Sequence, residues 1–191
     1  MAVLYTVGHS IRPLPELIGI LQEAGVARLA DVRRLPRSRR HPQFNIDTLP
    51  ADLAAVGIDY VHLPALGGRR GARRGHPSRN TLWRVEAFRN YADYAETSAF
   101  QEALARLETL AAERPTAIMC AEALWWQCHR RLITDYMLTR GWPVIHLMAP
   151  GQRQDGILTP GAVPQPDGTI AYLDERSRDR LPWDEGSDAS R

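Results

Sequence analysis

Five short β-prone runs alternate with stretches of helical periodicity, and this alternation constrains the chain more than any other feature. Val3 to Val7 stops at Gly8-His9-Ser10, and Pro13 to Ala24 then carries Leu14, Leu17, Ile18 and Leu21 at the spacing of one helix face. Gly25 ends that helix; Ala27 to Val32 forms a second strand, followed by a polar loop from Arg33 to Asn45. A weaker helix, about Thr48 to Val56, leads into the strand Ile58 to Leu63. Pro64 to Thr81 is too rich in Pro, Gly and Arg for a core element and reads as a long surface loop. Trp83 to Glu113 reads as two helices meeting near Thr97-Ser98, with Trp83, Phe88, Tyr91 and Tyr94 directed to the core. The strand Thr116 to Cys120, a helix from about Trp126 to Arg140 and a last strand, Pro143 to Leu147, complete the series.

Parallel neighbours need crossover connections, so the expected fold is α/β, a mostly parallel sheet of about five strands with helices on both faces. Residues 1–150 are expected to form this domain and residues 151–191 a C-terminal extension. Within the extension, Gly156 to Leu158 and Thr169 to Leu173 are expected to pair as a small hairpin, with the last ten or so residues disordered. A length of 191 residues, 44% of them hydrophobic, suits one compact domain. No stretch approaches the roughly 18 apolar residues of a membrane span. The N-terminus lacks the basic start and long apolar run of an export signal, so no membrane partner and a cytoplasmic location are expected.

All 24 basic residues are Arg, set against 22 acidic residues for a net charge of +2. The absence of Lys excludes Schiff-base catalysis by a side-chain amine and any phosphate loop that ends in Lys. Two cysteines, Cys120 and Cys128, are too few for a disulfide scaffold or an all-Cys zinc site.

Ligand crevices of open α/β sheets lie beyond the carboxyl ends of the strands. The residues there are His9 and Ser10, then Asp31, Arg33 and Arg34, then His62, Gly67, Gly68 and Arg69, then Cys120 and Glu122, and finally His146. Titratable groups of several kinds therefore converge on one edge. The densest segment runs from Met119 to Arg131, from a strand end through a turn into a helix start, and places Cys128, His129 and Arg130 at a helix N-terminus. Such a terminus lowers the pKa of a nearby thiol and favours an anion. Buried, inert cysteine is the commonest fate of a free thiol. That reading is favoured for Cys120 and evenly matched with a reactive thiol for Cys128. Glu122 and His129 add acid/base capacity beside the sulfurs.

A phosphatase-type loop requires Arg six residues after the Cys, where this chain has Trp126 for Cys120 and Thr134 for Cys128, so that pattern fails. A metal held by Cys120, Cys128 and His129, with His9 or Glu122 as fourth ligand, is the minority alternative. Arg33, Arg34, Arg37, Arg39 and Arg40 cluster in one loop, and Arg69, Arg70, Arg73, Arg74 and Arg79 in the other. Both loops leave the same edge and suggest a basic rim suited to phosphate. Gly67-Gly68 could let backbone approach a ligand, and Trp125-Trp126 could cover the site or stack on a base, although core packing or a partner contact is expected for at least one of them.

Thr6-Val-Gly-His-Ser10, Asp31-Val-Arg33 with Pro36 and Ser38, Leu66-Gly-Gly68, Tyr91-Ala-Asp-Tyr94 and Cys120-Ala-Glu122 followed by Cys128-His-Arg130 together resemble the domain of unknown function 488 family. The resemblance runs in order from about residue 4 to residue 148. It implies an α/β domain and marks His9, Asp31, Arg33, Gly67, Gly68, Cys120, Glu122, Cys128, His129 and Arg130 as motif residues, without implying a reaction or a cofactor.

Two functional classes follow. One is an enzyme acting on a phosphate-bearing substrate, a nucleotide or nucleic acid. Arg33 and Arg130 are then the anion clamps, assisted by Arg69, Gly67 and Gly68. Cys128 or Cys120 is the nucleophile or redox centre, His129 or His9 the acid/base, and Glu122 with Asp31 orient groups or shuttle protons. The other is a non-catalytic nucleotide- or nucleic-acid-binding module, whose affinity would fall steeply with salt and ignore Glu122 and both cysteines. The sequence pI of about 8.7 lies below the range typical of dedicated DNA binders.

Overall fold

A computed structural model describes residues 2–73, 75 and 77–178. Five parallel strands form the body of one sheet: β1 (Leu4–Gly8), β2 (Arg28–Asp31), β3 (Asp59–His62), β4 (Thr116–Cys120) and β5 (Val144–Ala149). The connecting helices are α1 (Leu14–Glu23), α2 (Leu49–Ala54), α3 (Glu86–Ala95), α4 (Ser98–Glu113) and α5 (Arg130–Thr139). Strand order is β3-β2-β4-β1-β5, extended at one edge by β6 (Gln152–Asp155), which runs antiparallel to β5. The fold is therefore α/β with a mostly parallel six-stranded sheet. Among the described residues no helix is long and apolar enough to cross a membrane.

Alternation along the strands divides the interior into two cores. Leu4, Ala30 and Ile118 face α3, α4 and α5, together with Leu104, Leu107, Leu132, Tyr136 and Tyr91. Val7, Leu29, Ala117 and Met119 face the other way, against Leu17 and Leu21 of α1, Leu49 and Leu53 of α2, and Phe44. Successive strand side chains point to opposite faces, so this register also decides where each functional residue hangs. The joint between α3 and α4 falls at Thr97, whose hydroxyl accepts from the Phe100 N–H and caps the second helix.

Three expectations need correction. First, the edge strand β6 was not anticipated: its four residues, Gln-Arg-Gln-Asp, are all exposed and carry no apolar alternation. Second, the small hairpin pairs β7 (Ala162–Pro164) with β8 (Ile170–Tyr172), so the second strand was placed correctly but residues 156–158 are not its partner. Third, the helix expected from Trp126 begins only at Arg130; a 3-10 turn at Trp125–Gln127 precedes it.

The segment after Ala149 is bound to the sheet layer through α5. Asp135 accepts from the Thr159 N–H and the Tyr172 hydroxyl, and the Tyr136 hydroxyl accepts from the Ile170 N–H. A short helix, α6 (Glu175–Arg178), follows β8. The C-terminal stretch expected to be disordered lies outside the described residues.

Candidate active site

Beyond their last paired residues, β1 and β4 continue to hydrogen-bond: the His9 N–H donates to the Cys120 carbonyl at 3.0 Å and the Ser10 N–H to that of Ala121 at 2.9 Å. Gly8 and Cys120 are register partners. Period-two alternation then sends Thr6 and Cys120 toward α5, and His9 and Asp31 toward α1 and α2. The site accordingly has a sulfur half and an imidazole half on opposite faces of the sheet, both opening at its carboxyl edge into one cleft of about 590 Å³.

In the sulfur half, Cys120 ends β4 and Cys128 stands in extended backbone just ahead of α5. Their Sγ atoms are 3.4 Å apart. Arg130 reaches back beneath them, its Nε 3.0 Å from Cys120 Sγ and 3.3 Å from Cys128 Sγ. One terminal nitrogen donates to the Thr6 hydroxyl at 3.3 Å, the other to the carbonyls of Glu122 and Ala123 at 2.6 and 3.1 Å.

Arg130 is 1% exposed, and among the described residues no carboxylate pairs with it. An uncompensated buried charge costs several kcal/mol, so the sulfurs are where a balancing negative charge belongs. The two thiols respond in opposite directions. A hydrogen bond from Cys120 lowers Cys128 to about 7; burial opposes this and Arg130 reinforces it. Cys120 is pushed up, by burial first and then by its bond to Cys128.

Glu122 is exposed, and a carboxylate oxygen of it lies within 4.8 Å of both sulfurs. His129 faces the Val32 carbonyl with Nε2 at 3.1 Å, which fixes the proton on that nitrogen and leaves Nδ1 as an acceptor. Burial lowers its pKa to about 4, so the ring is neutral at pH 7. Gly68 packs against it so closely that a Cβ there would stand 2.9 Å from Nδ1.

The imidazole half is an internal network. His9 stacks on Phe44, ring centroids 4.3 Å apart; its Nδ1 donates to the Ser10 carbonyl at 2.9 Å and its Nε2 accepts from Arg33 at 3.1 Å. Burial first, then Arg33, holds its pKa near 4. Arg33 forks onto the fully buried Asp31 and also donates to the Phe44 carbonyl at 2.6 Å. The Tyr60 hydroxyl donates to Asp31 at 2.7 Å, and His62 donates to the Arg33 carbonyl at 2.8 Å.

His9, Arg33, Cys120, Glu122, Cys128 and His129 thus share one cleft, while Asp31 and Arg130 sit behind its wall. The guanidinium nitrogens of Arg33 and Arg130 are all engaged inside the protein, so neither side chain presents a free fork to the cleft. The exposed arginines that line it are Arg34, Arg37 and Arg69, with Leu35 and Phe88 as apolar neighbours. Arg34 donates to the Arg69 carbonyl at 3.1 Å and ties the two loops together. Gly67 permits this approach: a Cβ there would lie 2.6 Å from the Arg34 nitrogen. Arg70 turns away, bonding three carbonyls of its own loop and lying 3.7 Å over the Tyr94 ring.

Neither tryptophan lines the cleft. Trp125 is buried and stacks on His146 with centroids 4.1 Å apart, and Trp126 is exposed. His146 lies within β5, its Nδ1 2.7 Å from the Thr6 hydroxyl. Thr6, which opens the first family motif but was not named as a site residue, touches both Arg130 and His146. Its place two residues before Gly8 on a strand was the available signal.

The donor set close enough for a metal is Cys120, Glu122 and Cys128; His129 and His9 are not among them. A guanidinium within 3.3 Å of both sulfurs repels a cation, so these residues fit a metal poorly.

The family described as Domain of unknown function DUF488 matches residues 13–137, and the chain belongs to it. The match includes Asp31, Arg33, Gly67, Gly68 and the whole Cys120–Arg130 segment, beginning after His9 and ending before His146. No curated protein and no solved structure matches the chain.

Proposed function

We propose that the chain is a thiol-dependent enzyme acting on a phosphate-bearing substrate, a nucleotide or a nucleic acid, with Cys128 as the reactive sulfur. The observation that carries this reading is the buried Arg130, which stands behind the wall of an open cleft against two sulfurs and, among the described residues, is in an ion pair with no carboxylate. A guanidinium so placed stabilises a thiolate, and a thiolate at neutral pH is the nucleophile that cysteine enzymes require. Cys120 donates to that thiolate, which needs no further base. His129 Nδ1 is left to accept a proton from a second reactant such as water, and Glu122 lies close enough to the sulfurs to assist. Arg34, Arg37 and Arg69 supply the exposed positive charge that a phosphate group would meet above the sulfurs.

The test couples the two halves of the proposal. Alkylation of Cys128 by iodoacetamide is followed with and without a nucleoside monophosphate. Protection in the native protein that is lost in Arg34→Gln/Arg69→Gln supports a phosphate seated over the thiol. Unchanged alkylation across a panel of nucleotides and a short single-stranded oligonucleotide overturns the substrate assignment.

A further inference from the structure

We propose that Cys128 and Cys120 form a two-electron dithiol centre that a small hydroperoxide oxidises to an intramolecular disulfide. This rests on the reading of Cys128 as the reactive thiolate and adds a co-reactant and a role for Cys120. Three features of the geometry carry it. The Sγ atoms are 3.4 Å apart, already in contact, on a strand end and on the turn that returns to it, so only a short approach separates them from the roughly 2.05 Å of a bond. Both stand at the cleft, but their exposures differ: Cys128 is 6% exposed, whereas Cys120 has no exposed surface, the arrangement of an attacking thiol backed by a resolving one. Arg130 Nε lies 3.0 and 3.3 Å from the two sulfurs, so the attacking thiolate has its counter-charge in place.

The chemistry balances. The Cys128 thiolate bonds to the terminal oxygen of ROOH, the O–O bond breaks, and the departing alkoxide takes a proton from solvent, leaving Cys128 as the sulfenic acid. Cys120 then loses its proton and bonds through sulfur to Cys128 Sγ. The S–O bond breaks, and hydroxide leaves with that proton as water. Two thiols are oxidised by two electrons in all, and one hydroperoxide is reduced to ROH and water.

The experiment uses the full chain, reduced, with stoichiometric hydrogen peroxide at pH 7. The expected product has an intact mass lower by two hydrogens, and peptide mapping joins Cys120 to Cys128. The native protein forms it at least about tenfold faster than the same chain unfolded in urea, because only the fold raises the thiolate fraction and holds the pair together. Cys120→Ser should stop at a sulfenic acid on Cys128 that dimedone captures. Cys128→Ser should lose its remaining thiol at least about tenfold more slowly than the native pair.

Oxidation of native protein no faster than unfolded chain, or direct passage to sulfinic acid without the two-hydrogen loss, overturns the proposal. The native-against-unfolded comparison needs no variant and stands if a serine substitution fails to fold. A chain that forms the disulfide yet shows no nucleotide protection loses the substrate assignment alone; nucleotide protection without the disulfide removes the dithiol centre alone.

Discussion

The α-carbon of Gly8 passes so close to the carbonyl of Glu122 that a methyl group in place of its hydrogen would stand 1.9 Å from that oxygen. The same oxygen accepts from Arg130 at 2.6 Å, so β1 and the guanidinium share one point of backbone. Gly8→Ala must push the segment after β4 outward and take the partner of Arg130 with it. The expected cost is about 3 kcal/mol in urea unfolding, at the upper end for an overpacked site, together with slower alkylation of Cys128. A fully stable Gly8→Ala protein with unchanged alkylation would contradict this geometry.

Asp31 compensates Arg33 inside the imidazole half, with side-chain exposures of 0% and 9%. Asp31→Asn keeps the shape and removes the charge, leaving a buried guanidinium without its counter-ion. A loss of about 3–5 kcal/mol is expected. Tyr60→Phe, which deletes one hydrogen bond to the same carboxylate, should cost about 2 kcal/mol. Equal costs for the two variants in denaturant melts would show that the ion pair is not what holds Arg33.

Arg130 sets the charge state of the sulfurs jointly with the bond from Cys120. In Arg130→Gln the midpoint of the pH dependence of Cys128 alkylation should rise by at least about one unit from its value near 7, toward the ordinary thiol range. Arg130→Lys, with a positive charge but no fork, should fall between. An unshifted midpoint in Arg130→Gln would remove the guanidinium from any account of thiol activation.

Stability should fall as the pH drops from about 6.5 toward 4. His9 and His129 are held near 4 and His146 near 3, all chiefly by burial, so each binds a proton on unfolding within that window. Their contribution is present above pH 6.5 and is lost as the pH approaches the folded values. Asp135 works in the opposite sense. Burial raises it to about 6, so it contributes stability at low pH that disappears as the pH rises through 6. Near pH 5 the net uptake on unfolding is about two protons, three from imidazoles less one from Asp135. Asp135→Asn should steepen the acid decline between pH 4 and 6, measured as urea midpoint against pH; a shallower slope would reverse the sign assigned to this residue.

Much of the scaffold was readable because Pro and Gly punctuate it. Pro115 opens a strand whose limits, Thr116 and Cys120, coincide with those expected, and Thr97 marks a helix junction by its cap. β6 was invisible because an exposed edge strand is held by backbone pairing and needs no apolar pattern. The start of α5 was misplaced because Trp126 and Gln127, which extend the helical pattern backward, lie in the 3-10 turn that seats Trp125 on His146. The gathering of chemical groups at the carboxyl edge followed from strand ends alone. The orientation of single guanidiniums did not, because a charge count is blind to whether Arg33 or Arg130 turns outward to water or inward to a carboxylate or a sulfur.

His9 and the thiols hang from opposite sides of the same sheet and meet only where it ends. Each wall of the crevice therefore has its own foundation: one bears on Phe44 and the two N-terminal helices, the other on the long helical pair and the helix that follows the cysteines. Damage to one foundation should slacken one wall and leave its opposite taut.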